Sequence, residues 1–477
     1  MSTGDTLGGY FGLDEHDTTL RRELVAGVTT FLTMSYIIAV NPLVLSGAIT
    51  DAKLGTPEGR AIQLLTVATI LAAVVAMLVM AFYANRPFGL ASGMGLNAFF
   101  VVVVTQMGVA WQTALAAVFV EGVVFIALTA VGAREYIIGL FPEPVKRAVG
   151  PGIGLFLALI GLNFMHVIAA DAGDITSLNP YLAQDPVAVL SLFGIFLTFV
   201  LYARRVRGAI VLSILATSVA AYAASAAGVT QFGGELPDGI NLAFVTFAPG
   251  FQSVTYSPAA YNIAPLFGAF VDGLANADPL SFLVVVFTFF FVDFFDTAGT
   301  VTGLGQAAGF LDEDGNLVDM DKPLMADAVG TTVGAVLGTS TVTTFIESST
   351  GIEEGGRTGM VPLVVAVLFL VSLVFVPLLS AIPSFAPYVA FLAVAVFMFQ
   401  NIFEIAWSQV HHAVPATLTI AMMPLTNSIS NGIAFGIVAY PIVAVAAGER
   451  EDTRPGHWVL AAAFVLYFVV RYGGFVR

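Results

Sequence analysis

Apolar residues run in long blocks along this chain, separated by short polar connections. A helix that crosses the hydrocarbon of a bilayer needs about 20 largely apolar residues. Blocks of that kind fall near 24–40, 62–84, 97–107, 110–132, 149–170, 187–203 and 209–227, and a second set near 280–299, 325–340, 343–351, 360–380, 386–406, 413–425 and 429–447. The pattern predicts an all-α integral membrane protein with fourteen transmembrane segments, seven followed by seven. A further apolar stretch, 457–472, reads as either an extra span or a helix lying at the interface.

Two of these blocks are abnormal. Between Phe88 and Phe100 the chain places Gly89, Ser92, Gly93 and Gly95 where a helix should begin, then Asn97 inside an apolar run. Its counterpart in the second half, Gly338 to Gly351, is rich in Thr and Ser, carries Glu347, and is too polar for lipid and too short to span alone. Unwound backbone at membrane depth is tolerated only where protein or a cavity satisfies its polar groups. Interrupted segments at matching positions of two halves point to a binding site in inverted-repeat transporters, with helix N-termini aimed at the ligand. On this reading Asn97 and Glu347 face each other across the site. The same stretches would also serve as small-residue packing interfaces.

Just upstream, Asp293 and Asp296 interrupt an aromatic run, Phe289 to Gly299. Ionisable groups inside a span are costly and by default mark an ion or substrate path. Three residues apart, they share one helical face. They suit a group that takes up a proton on one side of the membrane and releases it on the other, although Asp296 alternatively bonds backbone near a helix end. Glu121, beside Gly122, is a weaker candidate, able to bond a neighbouring helix. Adjacent His411 and His412 point away from one another on a helix and make no metal site. The run Gly303 to Gly309 lacks the strand and spacing of a dinucleotide fingerprint.

Composition agrees with the blocks. Of 477 residues, 58% are hydrophobic and 10% charged, too apolar for a water-soluble domain of this length. The formal charge of -15 argues against nucleic acid as a partner. With no cysteine, disulfides, thiolate metal sites and cysteine nucleophiles are excluded. The acidic start lacks the basic region and apolar core of a cleaved secretory signal. Lys and Arg concentrate on the cytoplasmic side of short connections. An inside N-terminus puts thirteen of them inside, from Arg21 to Arg454, and only Lys53 and Arg60 outside. The connection 229–279 has none and falls outside.

Four stretches in this order, Arg22 to Tyr36, Gly93 to Ala98, Phe291 to Thr297 and Thr344 to Gly351, closely resemble the adenine, guanine and hypoxanthine permeases, a branch of the nucleobase:cation symporter type 2 family. The likeness covers nearly the whole chain. It implies two inverted seven-helix repeats, with a core domain that holds substrate and a gate domain, usually paired as a homodimer. The core is then 24–132 (spans one to four) and 280–380 (spans eight to eleven); the gate is 149–227 and 386–447. A cytoplasmic segment, 1–23, an extracellular connection, 228–279, and a C-terminal segment, 448–477, complete the chain. In such proteins the third and tenth spans are each a short strand followed by a half helix.

By motif position the resemblance makes Asp293 and Glu347 the acids that hydrogen-bond a purine base, with Asn97 and Gly95 lining the third-span side. Carboxylates and an amide match the donors and acceptors on one edge of a purine, and bases that leave them unpaired are rejected. Phe345, Phe294 or Phe99 is placed to stack on the ring. The expected function is proton-coupled import of a purine nucleobase (hypoxanthine, guanine or adenine) across the plasma membrane. The coupling proton falls on Asp293, Asp296 or Glu347, and no cofactor is implied. The alternatives are a transporter of xanthine, uracil or an anion on the same fold, or an intramembrane enzyme using the Asp293 and Asp296 pair.

Overall fold

A computed structural model of the chain describes residues 8–57, 59–132, 141–169, 176–229, 256–310, 319–379 and 381–472. Arg134, Asp312 and half of the connection expected at 228–279 (residues 230–255) lie outside the described residues.

Every predicted block contains helix, although the block at 343–351 is helical only from Ser348. The first holds α1 (Leu20–Met34) and α2 (Ile37–Ser46), followed by α3 (Arg60–Val79), α4 (Met94–Thr105), α5 (Trp111–Ala130), α6 (Glu143–Phe164), α7 (Pro186–Ala203) and α8 (Ala209–Ala226). The second half holds α9 (Pro279–Ala308), α10 (Asp321–Leu337), α11 (Ser348–Glu353), α12 (Met360–Ser372), α13 (Val389–Phe399), α14 (Val410–Leu425), α15 (Ile429–Ala446) and α16 (Pro455–Tyr472). Among the described residues, ten helical runs are long and apolar enough to cross a membrane. The abnormal blocks are not among them. Helix α4 is apolar but has 12 residues, and α11 has only six.

The all-α expectation needs one amendment, since among the described residues four short strands interrupt the helices. They are β1 (Leu90–Ser92), β2 (Ile168–Ala169), β3 (Ser177–Leu178) and β4 (Val342–Thr344), and they form two antiparallel ribbons, β1 with β4 and β2 with β3. A second difference concerns α9, which runs on well beyond the predicted end at 299. It starts at a proline capped by Asp278, whose carboxylate accepts from the Ser281 backbone N–H at 3.0 Å, and it stops at Gly309. Asp296 is therefore mid-helix, and the reading of it as a group near a helix end is corrected.

The chain forms two compact units, residues 1–127 with 161–393 and residues 128–160 with 394–477. In the first, α3 is central and packs on α2, α10 and α12, while α1 packs on α12 and α11 and α7 pairs with α8. The N-terminal end of α1 is fastened by Glu23, which is fully buried. Its carboxylate accepts from the Thr18 hydroxyl (2.9 Å), the Arg357 and Thr358 backbone N–H groups (2.8 and 3.3 Å) and the Thr358 hydroxyl (2.8 Å). Four donors make a buried carboxylate tolerable in apolar surroundings. In the second unit α14 and α15 lie side by side with α16 against α15.

Candidate functional site

The site is built where the two broken segments of the first unit cross. Leu90, Ala91 and Ser92 pair with Thr344, Thr343 and Val342. The ribbon is extended at both ends, where the Gly93 N–H donates to the Thr341 carbonyl and the Phe345 N–H to the Gly89 carbonyl, each at 3.0 Å. Backbone that leaves the helix inside a membrane loses its internal hydrogen bonds, and here the opposite strand restores them. The two strands approach so closely that a Cβ on Gly93 would lie 2.6 Å from Thr343 Cγ2. After each strand the chain turns into a helix, α4 or α11, and the Ser348, Ser349 and Thr350 N–H groups that open α11 donate to the carbonyls of Phe345, Ile346 and Glu347 at 3.1, 3.0 and 3.1 Å. At the far end of α11 the Arg357 guanidinium donates to the carbonyls of Ile352 and Gly356, both at 2.7 Å.

Three polar clusters surround this ribbon. In the first, Tyr36, at the turn between α1 and α2, donates its hydroxyl hydrogen to Glu347 Oε1 at 2.7 Å. Glu347 is half-buried and immediately precedes α11, with buried Phe345 just behind it and the Phe345 ring 6.3 Å from that of Tyr36. Thr33 and Thr350 bond each other at 3.1 Å and tie α1 to α11 below. Asp296 of α9 is half-buried and within electrostatic reach of Glu347.

The second cluster lies behind the strands and is sealed from solvent. Thr297 of α9 bonds Thr343 at 2.7 Å and is within 3.4 Å of Asp293 Oδ1 and 3.1 Å of Asp327 Oδ2. Asp327, on α10, also accepts from the Thr344 backbone N–H (2.7 Å) and hydroxyl (3.1 Å). Asp293, Thr297 and Asp327 are fully buried. Asp327 holds strand β4 in place from the side. It was not singled out from sequence, because it follows Asp321 and Lys322 and so reads as part of a polar helix start.

The third cluster is on the α4 side. The Ser340 hydroxyl donates to Asn97 Oδ1, and Asn41 of α2 donates to the hydroxyls of Thr69 (2.7 Å) and Thr339 (2.9 Å). Asn97 Nδ2 has no partner among the described residues. Asn97 bonds the residue that leads into β4, whereas Glu347 lies beyond the other end of that strand. The two thus bracket the ribbon and share no hydrogen bond. Gly95 is half-buried at the start of α4.

The three aromatic candidates separate clearly. Phe99 is fully buried against Phe289, with ring centroids 4.8 Å apart, and Phe294 packs on Phe125 at 5.4 Å. Both are core. Phe345 is the one that adjoins Tyr36 and Glu347.

Known proteins resemble this chain over most of its length. The model of the Permease family matches residues 21–435. A guanine/hypoxanthine permease of Bacillus subtilis, PbuO, is 38% identical over 466 residues, covering 97% of this chain and 99% of that one. An adenine permease of Escherichia coli, AdeQ, is 35% identical over 468 residues, covering 98% and 96%. Among solved structures, the transmembrane domain of the cyanobacterium bicarbonate transporter BicA superposes with a TM-score of 0.52 at 15% identity, covering 90% of this chain and 97% of that one, a likeness of fold alone.

Proposed function

Since this chain belongs to the Permease family, we propose that it imports a purine nucleobase by proton symport. It is a multi-pass membrane permease, as its resemblance to adenine, guanine and hypoxanthine permeases implied, and not an enzyme. Relatives named for guanine, hypoxanthine and adenine support the substrate class.

The observation that carries the reading is the half-buried Glu347 carboxylate, fixed by Tyr36 just beyond the end of a strand and immediately ahead of α11. A purine edge presents ring N–H groups to such a carboxylate, while Phe345 offers a face to the ring. Asp296 and, behind it, Asp293 supply the acids of α9. Asn97, with an unused amide N–H, and Gly95 close the α4 side. Carboxylates crowd this crossing, and among the described residues no lysine or arginine side chain is hydrogen-bonded to Glu347, Asp293, Asp327 or Asn97, which disfavours an anion as cargo.

Transport requires the site to open alternately to the two sides. In this reading fourteen segments form two inverted seven-helix repeats, the core segments 24–132 and 280–380 move against the gate segments 149–227 and 386–447, and two copies pair in the plasma membrane with N-termini inside. Asp293, Asp296 or Glu347 takes up the coupling proton with the base. Glu347→Ala and Asp293→Ala are expected to abolish uptake of labelled hypoxanthine in cells that still display the protein. Unchanged uptake in either variant would remove that residue from the site.

A further inference from the structure

Glu121 is a buried acid of the first unit that the reading above does not use. It lies on α5 and is fully buried, and neither of its carboxylate oxygens has a hydrogen-bond partner among the described residues. Helix α5 is pressed against two neighbours at this level. A Cβ on Gly122 would lie 2.5 Å from Thr332 Oγ1 and 2.9 Å from the Thr332 nitrogen of α10, so only glycine permits the approach. One turn on, Phe125 packs against Phe290 and Phe294 of α9. Glu121 is thereby held facing Asp293, within hydrogen-bonding reach.

Two bare carboxylates cannot bond, because both are acceptors. Asp293 has the same deficit, since Oδ2 has no donor and Oδ1 has only a share of the Thr297 hydroxyl. That single hydroxyl hydrogen is also within reach of Asp327, which has two further donors from Thr344. Asp327 is therefore satisfied as an anion, whereas Glu121 and Asp293 are satisfied only when a proton lies between them. The titratable groups facing the pair are Asp327 from α10 and Asp296 from α9, both acidic. A lone charge at this depth without a partner is costly, and one proton on the pair both halves the charge and makes the missing bond.

We propose that Glu121 shares the coupling proton with Asp293, so that the proton resides between α5 and α9, one helix behind the base. The inference rests on the proton symport proposed above. When the site faces outside, the pair takes up a proton from solvent, and an O–H of one carboxyl donates to an oxygen of the other. When the site faces inside, that proton leaves to water and the base with it. Glu121 acts through Asp293 and is a positioning residue.

The test uses the full chain, reconstituted in vesicles of phosphatidylethanolamine and phosphatidylglycerol with labelled hypoxanthine and an imposed pH gradient, alkaline inside. Wild-type protein is expected to accumulate the base above its external concentration. Glu121→Gln supplies an amide donor to Asp293 without a transferable proton. It is expected to fold with a Tm at or above wild type and to continue exchanging labelled for unlabelled base, while accumulation driven by the pH gradient falls at least tenfold. Glu121→Asp, which restores a carboxyl, is expected to regain accumulation with a displaced pH profile.

Glu121→Gln accumulating as wild type does, with the wild-type pH profile, overturns the inference and leaves the transport reading intact. Loss of exchange and accumulation together in a stably folded Gln variant also overturns it, by showing a role not confined to the proton. Should Glu121→Gln not fold, an Asp variant with the wild-type pH profile overturns it equally. Wild-type vesicles that take up no purine, with or without a gradient, overturn the transport reading itself.

Discussion

Tyr36 and Glu347 are 311 residues apart in the chain and 2.7 Å apart in space. The phenol donates, the carboxylate accepts, and Glu347 is aimed by a residue from the opposite half. A hydrogen bond to a charged group contributes about 1.5 kcal/mol or more, and 1.4 kcal/mol is tenfold in affinity. Tyr36→Phe is expected to raise the KM for hypoxanthine about tenfold with the fold intact, as read from uptake at a series of base concentrations. A KM at the wild-type value would show that the phenol does not orient Glu347.

Gly93 faces Thr343 with no room for a methyl group. Gly93→Ala is expected to force the strands apart, losing transport and lowering Tm. Because the nearest obstacle is the Thr343 methyl, adding Thr343→Ser removes it yet leaves a hydroxyl for Thr297. The double variant is expected to recover both Tm and uptake in part, and additive damage would argue against a steric cause.

Glu23 accepts four hydrogen bonds, none of them from a residue of the ribbon. Deleting it strands buried backbone and hydroxyl donors, each costing about 1–3 kcal/mol. Glu23→Ala is expected to destabilise the protein by roughly 3 kcal/mol or more in detergent unfolding, with uptake per folded molecule near wild type. Equal stability would mean that the Thr358 and Arg357 N–H groups find other acceptors.

Asp278, ahead of α9, is held below the usual carboxylate range by its hydrogen bond from Ser281. A depressed value in the folded state means that its contribution is complete above the ordinary aspartate value, about pH 4, and is lost as pH falls through the lower folded value. Asp278→Asn, which still caps but does not titrate, is expected to flatten the acid limb of Tm against pH, and an unchanged limb would assign it to other acids.

How far the sequence reached is clear from particular residues. The broken segments were legible because glycine, serine and threonine stand where lipid demands apolar side chains, and the antiparallel ribbon occupies both places. The length of α9 was not legible. Its second half carries Thr297, Gly299, Gly303 and Gly305, which weaken helix locally, and burial of Val301 and Leu304 against neighbours overrides that preference. Asp327 escaped notice because its partners are 17 and 30 residues away. The bond of Asn97 to Ser340 spans 243 residues, and no local pattern announces it.

The ribbon of β1 and β4 has a consequence for the chain as a whole. Each half contributes a single three-residue edge, and an isolated edge in hydrocarbon has its N–H and C=O groups bare. Neither half can therefore assemble a cradle by itself. Chains severed within 228–279 are predicted to be inert singly and to regain uptake only when both fragments insert into the same bilayer.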